Sequence, residues 1–242
     1  MATAHHKDGK LVDITGPGIT DRWGVTCADL GASVIAPNGT LVSVFGDTFS
    51  GNRVGEGYWR SPVILIGTGD ADKGIILQRV RQEHVADPRK YSGWGRARGL
   101  WSWGKTPTPL TPAGETWGEL SLRRLADGRW ILGGFLSSEY ALGYRVMKSP
   151  TAVRAAPLQH PIVGSDWDDE DHAGSRVAQL YGGYVLPGSK LDLIGGVGLV
   201  VSQWNATHGW PYRAMQFRAT LHDTTRARHP KSESPSSGVP LI

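Results

Sequence analysis

Leu120-Ser121-Leu122-Arg123-Arg124-Leu125, then Ala126-Asp127-Gly128-Arg129, then Trp130-Ile131-Leu132-Gly133-Gly134-Phe135-Leu136: this stretch decides the fold. Two apolar-rich runs flank an Asp-Gly pair, whose residues tolerate the positive φ of a tight turn, so the segment predicts a β-hairpin. The same arrangement occurs earlier, where residues 32–36 and 41–45 flank Pro37-Asn38-Gly39. Strand-like runs continue at 63–66, 74–80, 144–148, 175–180, 184–186, 198–203 and 214–221. No three-turn amphipathic helix stands out, and one short helix is expected at 87–91. The periodicity therefore predicts an all-β protein.

A degenerate repeat accompanies the hairpins. Trp59-Arg60-Ser61-Pro62-Val63 returns loosely as Met147-Lys148-Ser149-Pro150-Thr151, each after an Asn-Gly or Asp-Gly hairpin. Four-stranded units of roughly 40 to 50 residues suggest a β-propeller, and 242 residues hold about five such blades. The repeat alone leaves a β-sandwich open. Residues 83–114, rich in Arg, Gly, Trp and Pro, predict a long loop between blades. The expected organisation is one catalytic domain over 1–222 and a polar tail or linker over 223–242.

The chain has 33 glycines, 10 tryptophans and one cysteine, Cys27, which excludes an intrachain disulfide framework and a cysteine-based zinc site. A net charge of +4 and a sequence pI near 9.3 are mildly basic and name no partner by themselves. Residues 1–10 lack the apolar region of a signal peptide, and no apolar run is long enough for a membrane helix. A soluble chain without membrane association is the expectation. The phosphate-binding loop, the dinucleotide fingerprint, the G-x-S-x-G nucleophile elbow and the repeated Asp-box of sialidases are absent.

Carboxylates carry the chemistry that remains. Asp29 lies in Cys27-Ala28-Asp29-Leu30-Gly31 and Asp47 in Phe45-Gly46-Asp47-Thr48-Phe49. Two carboxylates on neighbouring strands are the minimum for cleaving a glycosidic bond: one protonates the leaving oxygen, the other attacks carbon or activates water. The plainer reading is that Asp47 caps a turn and Asp29 binds backbone amides. Glu119, in Trp117-Gly118-Glu119, is a candidate third carboxylate or a surface residue. Arg22-Trp23 and Trp59-Arg60 set a cation beside an indole, suited to holding a carboxylate ionised or to contacting sugar, and equally to surface packing. Trp94, Trp101 and Trp103 among arginines suit sugar better than single-stranded nucleic acid, since no nucleic-acid module pattern accompanies them. The acidic run from Asp166 to Asp171 lacks EF-hand spacing, so it reads as solvated loop before calcium site. Of the histidines, only His208, near Trp204 and Trp210, sits in a suggestive setting.

Taken in order, further words carry a resemblance: Leu11-Val12-Asp13-Ile14-Thr15-Gly16-Pro17-Gly18, Thr20-Asp21-Arg22-Trp23-Gly24, Tyr181-Gly182-Gly183-Tyr184, Val201-Ser202-Gln203-Trp204 and Pro211-Tyr212-Arg213. Together with the motifs around Asp29, Asp47, Trp59 and Trp130, this order resembles glycoside hydrolase family 183, endo-D-arabinanases of actinobacteria and their phages formerly grouped as a domain of unknown function. The likeness spans most of the chain.

It implies a five-bladed β-propeller cleaving the D-arabinan of mycobacterial arabinogalactan and lipoarabinomannan, with Asp29 and Asp47 catalytic. Arg22, Trp23, Trp59, Arg60, Glu119, Tyr181 and Gln203 are assigned to sugar contacts or to tuning the carboxylates. No cofactor or metal is expected, and the partner is the cell-wall polysaccharide rather than nucleic acid or membrane. The expected setting is outside the host cytoplasm, virion-associated or released on lysis, with the tail able to meet virion neighbours. The rival readings are a non-catalytic arabinan-binding or structural phage tail protein, and a calcium-stabilised hydrolase of another furanose polymer.

Overall fold

The computed structural model describes residues 8–23, 25–28, 31–35, 41–45, 48–54, 56–57, 59–60, 73–81, 84, 87–191 and 196–223. Its early strands are β1 (Gly9–Asp13), β2 (Cys27–Ala28), β3 (Gly31–Ile35), β4 (Leu41–Phe45), β5 (Thr48–Phe49) and β6 (Trp59–Arg60). The middle supplies β7 (Gln78–Arg79), β8 (Ser92–Ala97) and β9 (Leu100–Trp103). Then follow β10 (Trp117–Arg124), β11 (Trp130–Leu136), β12 (Ala141–Met147), β13 (Gln159–Ser165), β14 (Arg176–Ala178), β15 (Leu180–Val185), β16 (Val197–Trp204) and β17 (Tyr212–Ala219). Helix is confined, among the described residues, to short 3-10 turns such as Pro88–Lys90. The protein is mostly β, built from several sheets.

The hairpin that opens the sequence reading forms as expected. β10 and β11 pair antiparallel from Arg124↔Trp130 outward, and Gly128, at φ 86°, takes the left-handed position of a three-residue loop. The hairpin of β3 and β4 pairs Ile35 with Leu41. β10 to β14 make one five-stranded sheet and β15, β16, β17 and β1 another, in the order β1-β17-β16-β15. The N-terminal strand thus completes a sheet whose other strands come from the C-terminal end of the described chain. Gly9 pairs with Arg218 and Asp13 with Met215.

These two sheets pack face to face. Ile131, Leu142, Tyr144 and Val146 meet Val185, Leu199, Val201, Met215 and Phe217 in one fully buried cluster. The opposite face of the five-stranded sheet buries Trp117, Leu132, Leu136 and Met147 against Ile75 and Leu110, with Trp94 and Trp101 at the margin. Its central strand β12 is consequently buried at every position, which explains a run without polar alternation. A third cluster, Cys27, Phe49 and Tyr212, joins the C-terminal sheet to β2 and β5. The middle segment, the five-stranded sheet, the C-terminal sheet and the β2–β5 pair thus pack one against the next in that order.

Several expectations need correction. Residues 83–114 are not a loop throughout: β7, β8 and β9 form a three-stranded sheet, closed at Arg98-Gly99, where both residues have positive φ. That is the two-residue hairpin turn, with arginine where asparagine or aspartate is usual. Trp94, Trp101 and Trp103 are therefore not a loop platform. Trp94 stacks on Trp101 with ring centroids 6.2 Å apart, and Trp103 lies under the Arg79 guanidinium at 4.3 Å. The run 74–80 contributes only β7, which pairs with β8; the predicted partner at 63–66 lies outside the described residues. β1 and β13 escape the pattern. β1 is an edge strand with Leu11 and Val12 exposed, and β13 carries Pro161 and pairs in parallel with β14. Both lack clean alternation.

Candidate functional site

β10 and β15, an edge strand of each large sheet, each carry a β-bulge, and each of these bulges holds a residue singled out above. In β10 the register shifts between Gly118↔Phe135 and Ser121↔Gly133, so Glu119 and Leu120 together face Gly134. Glu119 has φ 40°, a left-handed conformation that glycine normally fills at such a bulge. Gly134 has no alternative: a Cβ there would sit 2.6 Å from the Glu119 carbonyl oxygen. In β15 the shift falls between Leu180↔Gln203 and Gly182↔Ser202, leaving Tyr181 as the extra residue. Bulges re-aim side chains and are over-represented beside active sites, and strained backbone clusters there too. β15 lies against both β10 and β3, so the strands that carry the two bulges are neighbours and the β3–β4 hairpin adjoins them.

Burial raises the Glu119 carboxyl above its ordinary value of 4.5, with Lys73 pulling the other way. The folded state therefore favours the protonated acid. As pH rises from 4.5 toward the higher folded value, the wild type loses stability that Glu119→Gln does not lose. Thermal melts of both proteins at acid and neutral pH should show their difference moving in the variant's favour toward neutrality. A pH-independent difference would mean that the carboxyl is as well solvated folded as unfolded.

Tyr181 is half-buried, its ring edge-on to Trp204 at 6.2 Å, and its hydroxyl is buried with no hydrogen-bond partner among the described residues. Trp204 in turn meets Tyr212, and Tyr212 meets Phe49, at centroid distances of 6.1 and 6.0 Å. Beneath them Cys27 is fully buried, and burial, then Glu56, push its thiol up to about 11. A thiol so protonated at neutral pH is no nucleophile.

Gln203 is fully buried and its amide is committed to protein. Its Nε2 donates to Glu170 Oε1 and to the Ala178 carbonyl, both at 2.9 Å, and its Oε1 accepts from Arg213 Nε at 2.9 Å. Glu170 also pairs with His172, and Arg213 reaches Asp13 on β1 at 3.7 Å. Through these contacts Gln203 braces the acidic run and the N-terminal strand against the C-terminal sheet. Burial lowers the His172 imidazole against the pull of Glu170, and Lys10 and Arg213 lower it further. The acidic run itself forms the 3-10 turn Trp167–Asp169. Among the described residues, no three His, Cys, Asp or Glu side chains gather as a metal cage.

The remaining assignments divide by position. Arg22 is exposed on the 3-10 turn Asp21–Trp23, where its backbone N–H donates to the Asp21 carboxylate at 3.0 Å. Trp59 and Arg60 form β6, pairing with Phe49 and Thr48; their side chains and that of Trp23 lie outside what is described. Asp29 and Asp47 lie outside the described residues altogether.

One open groove, of about 490 Å³, was not anticipated as a unit: Pro17, Asn52, Arg53, His208 and Trp210 line it. The signal available in the sequence was His208 near two tryptophans. What the sequence does not display is that residues 17, 52–53 and 208–210 come together.

Residues 15–75 and 67–218 match the family described as a domain of unknown function, DUF4185. The chain belongs to the DUF4185 family. Among its relatives is a Mycolicibacterium smegmatis protein described as an uncharacterized 35.9 kDa protein in the asd 3′ region, 32% identical over 161 residues, or 64% of this chain and 46% of that protein. Notoamide biosynthesis cluster protein J' of Aspergillus versicolor is 29% identical over 143 residues, 55% of this chain and 34% of its own length. This DUF4185 chain thus spans less than half the length of either relative. Among solved structures, a Penicillium chrysogenum alpha-L-arabinanase complexed with arabinobiose aligns over 87% of this chain and 85% of its own. It does so at 12% identity and a TM-score of 0.31, too low to transfer topology or chemistry.

Proposed function

We propose that this DUF4185 chain is an endo-acting glycoside hydrolase, one of the family 183 type, cleaving D-arabinofuranosyl linkages in mycobacterial arabinogalactan and lipoarabinomannan. Asp29 and Asp47 supply the paired carboxylates. One observation carries the reading. Ala28 pairs with Thr48 in one ladder and Gly31 with Phe45 in the next, so both ladders keep a single register. Asp29 and Asp47 lie in the chain between these paired residues, and the proposal takes them as partners. Directly opposed residues project to one face with Cβ atoms about 4.5–5.5 Å apart. Two carboxyls placed so can act on one glycosidic bond from two sides.

The proposed scaffold is a five-bladed propeller. A sheet completed by the N-terminal strand and a stacked series of sheets both support it. In it β15, β10 and the β2–β3 segment line the centre, and Glu119, Tyr181 and the aspartate pair approach one another there. One aspartate protonates the leaving oxygen while the other attacks the anomeric carbon or activates water. The Tyr181 hydroxyl is a donor for the ionised partner or for a sugar oxygen.

Digestion of purified mycobacterial arabinogalactan, with L-arabinan as control, tests this. Short D-arabinan oligosaccharides from the first time points are expected. A folded protein that binds the polymer without cutting it would instead be an arabinan-binding module of a phage tail or cell surface, and cleavage of L-arabinan alone would move the substrate.

A further inference from the structure

The groove lined by Pro17, Asn52, Arg53, His208 and Trp210 has no role in the chemistry above, and its construction is specific. The loop 205–211 is locked from inside. Asn205, itself buried, accepts from the backbone N–H groups of Thr207 and His208 at 3.2 and 3.0 Å. Its own N–H donates to the Pro211 carbonyl at 2.7 Å, and Gly209 N–H donates to the Asn205 carbonyl at 2.8 Å. The loop is then pinned to its neighbour: Val54 N–H donates to the Gly209 carbonyl at 3.3 Å. Gly209, at φ 69°, allows that approach, since a Cβ there would sit 3.1 Å from Arg53 Cβ. Asn205, Thr207, Gly209, Pro211 and Val54 thereby hold the backbone around His208 and Trp210, with Trp210 still 36% exposed. A flat apolar face beside an amide, a guanidinium and an imidazole is the lining of a small-molecule site: apolar area for affinity and a few fixed polar groups for orientation. Pre-ordering it removes the entropy of arranging those groups on binding.

The loop that carries Trp210 springs from the end of β16 at Trp204, which meets both Tyr181 and Tyr212, and Tyr212 leads on to Phe49 and the β2–β5 pair. We infer that this groove is a distal sugar subsite that grips a pentofuranose residue of the polymer beyond the scissile linkage, with Trp210 as the stacking face and Arg53 and Asn52 binding ring hydroxyls. The inference rests on the reading of the protein as an arabinan hydrolase and assigns to the groove the dependence on chain length.

The test uses linear D-arabinofuranosyl oligosaccharides of increasing length with wild type, Trp210→Ala and Arg53→Ala. Both variants should raise KM about tenfold for oligosaccharides long enough to reach the groove, in the range of a single well-packed contact. They should leave kcat, and all parameters for the shortest cleaved substrate, unchanged. Wild-type kinetics at every length from both variants would overturn the groove while leaving the hydrolase intact. An equal loss at every length would overturn it too, placing these residues at the scissile bond or in the fold. If the wild type cuts nothing, calorimetric titration with arabinogalactan decides. Weaker binding by both variants supports the subsite, and unaltered or absent binding overturns it.

Discussion

Asp47→Asn and Asp29→Asn are each expected to lower kcat/KM on D-arabinan by about 100- to 10,000-fold, the usual worth of a positioned acid, base or nucleophile. Binding of the polymer and the far-ultraviolet dichroism should be unchanged, because asparagine keeps the shape and the hydrogen-bonding oxygen. The two variants should also differ from each other. An aryl arabinofuranoside with an acidic phenol needs no protonation of its leaving group, so loss of the acid spares it while loss of the partner does not. The aspartate whose variant still cleaves the aryl substrate is the general acid. If both variants retain full activity on the polymer, the two aspartates are turn and backbone ligands and the chemistry lies elsewhere. Product stereochemistry adds a check on the separation of the two carboxyls, about 5 to 5.5 Å for retention and about 6.5 to 9.5 Å for inversion.

Glu115→Ala is expected to destabilise the protein by about 3–5 kcal/mol, the cost of leaving a buried charge without its partner. Arg145 lies on β12 with 6% of its surface exposed. Its Nη2 donates to Glu115 Oε1 at 2.6 Å and its Nη1 to the Ala156 carbonyl, while its Nε has no partner among the described residues. Glu115 Oε2 meanwhile accepts from the Trp117 indole N–H at 3.1 Å. One carboxylate therefore neutralises a buried guanidinium and satisfies a fully buried indole. Arg145→Met should cost less, since Glu115 keeps the indole and borders solvent. The double variant Glu115→Gln with Arg145→Met should recover most of the loss, because a buried ion pair contributes little against a well-packed apolar replacement. Urea unfolding of the wild type and the three variants compares these costs. A Glu115→Ala cost below about 1 kcal/mol would place the pair with surface ion pairs, already screened by water.

The legible and illegible parts of this fold separate along a physical line. The hairpin at 126–129 was readable because Asp-Gly states its backbone conformation within a few residues, and the antiparallel pairing of β3 with β4 was expected from the same kind of signal. The hairpin at Arg98-Gly99 was not, because arginine in the left-handed region has no local advantage and is held there by what its strands bury. Glu119 and Tyr181 could be named as polar and aromatic residues at strand starts. That each occupies a bulge depends on counting residues across to Gly134 and to β16. Gln203 read as a residue for sugar contact or for tuning the carboxylates, and the sequence holds no trace of Glu170 and Arg213 closing on its amide.

By itself the sequence determined the strand-rich class, the turns, the carboxylate inventory and the order of motifs, since each is a property of residue type and near neighbours. The tertiary structure alone decided that Gly9–Asp13 closes the C-terminal sheet beside Tyr212–Ala219, that β12 is buried on both faces, and that Arg53 and Trp210 share a groove. Those outcomes rest on pairing edges and covering apolar faces between segments up to about 200 residues apart. Their free energy comes from area removed from water and ladder bonds completed, quantities that belong to no single segment.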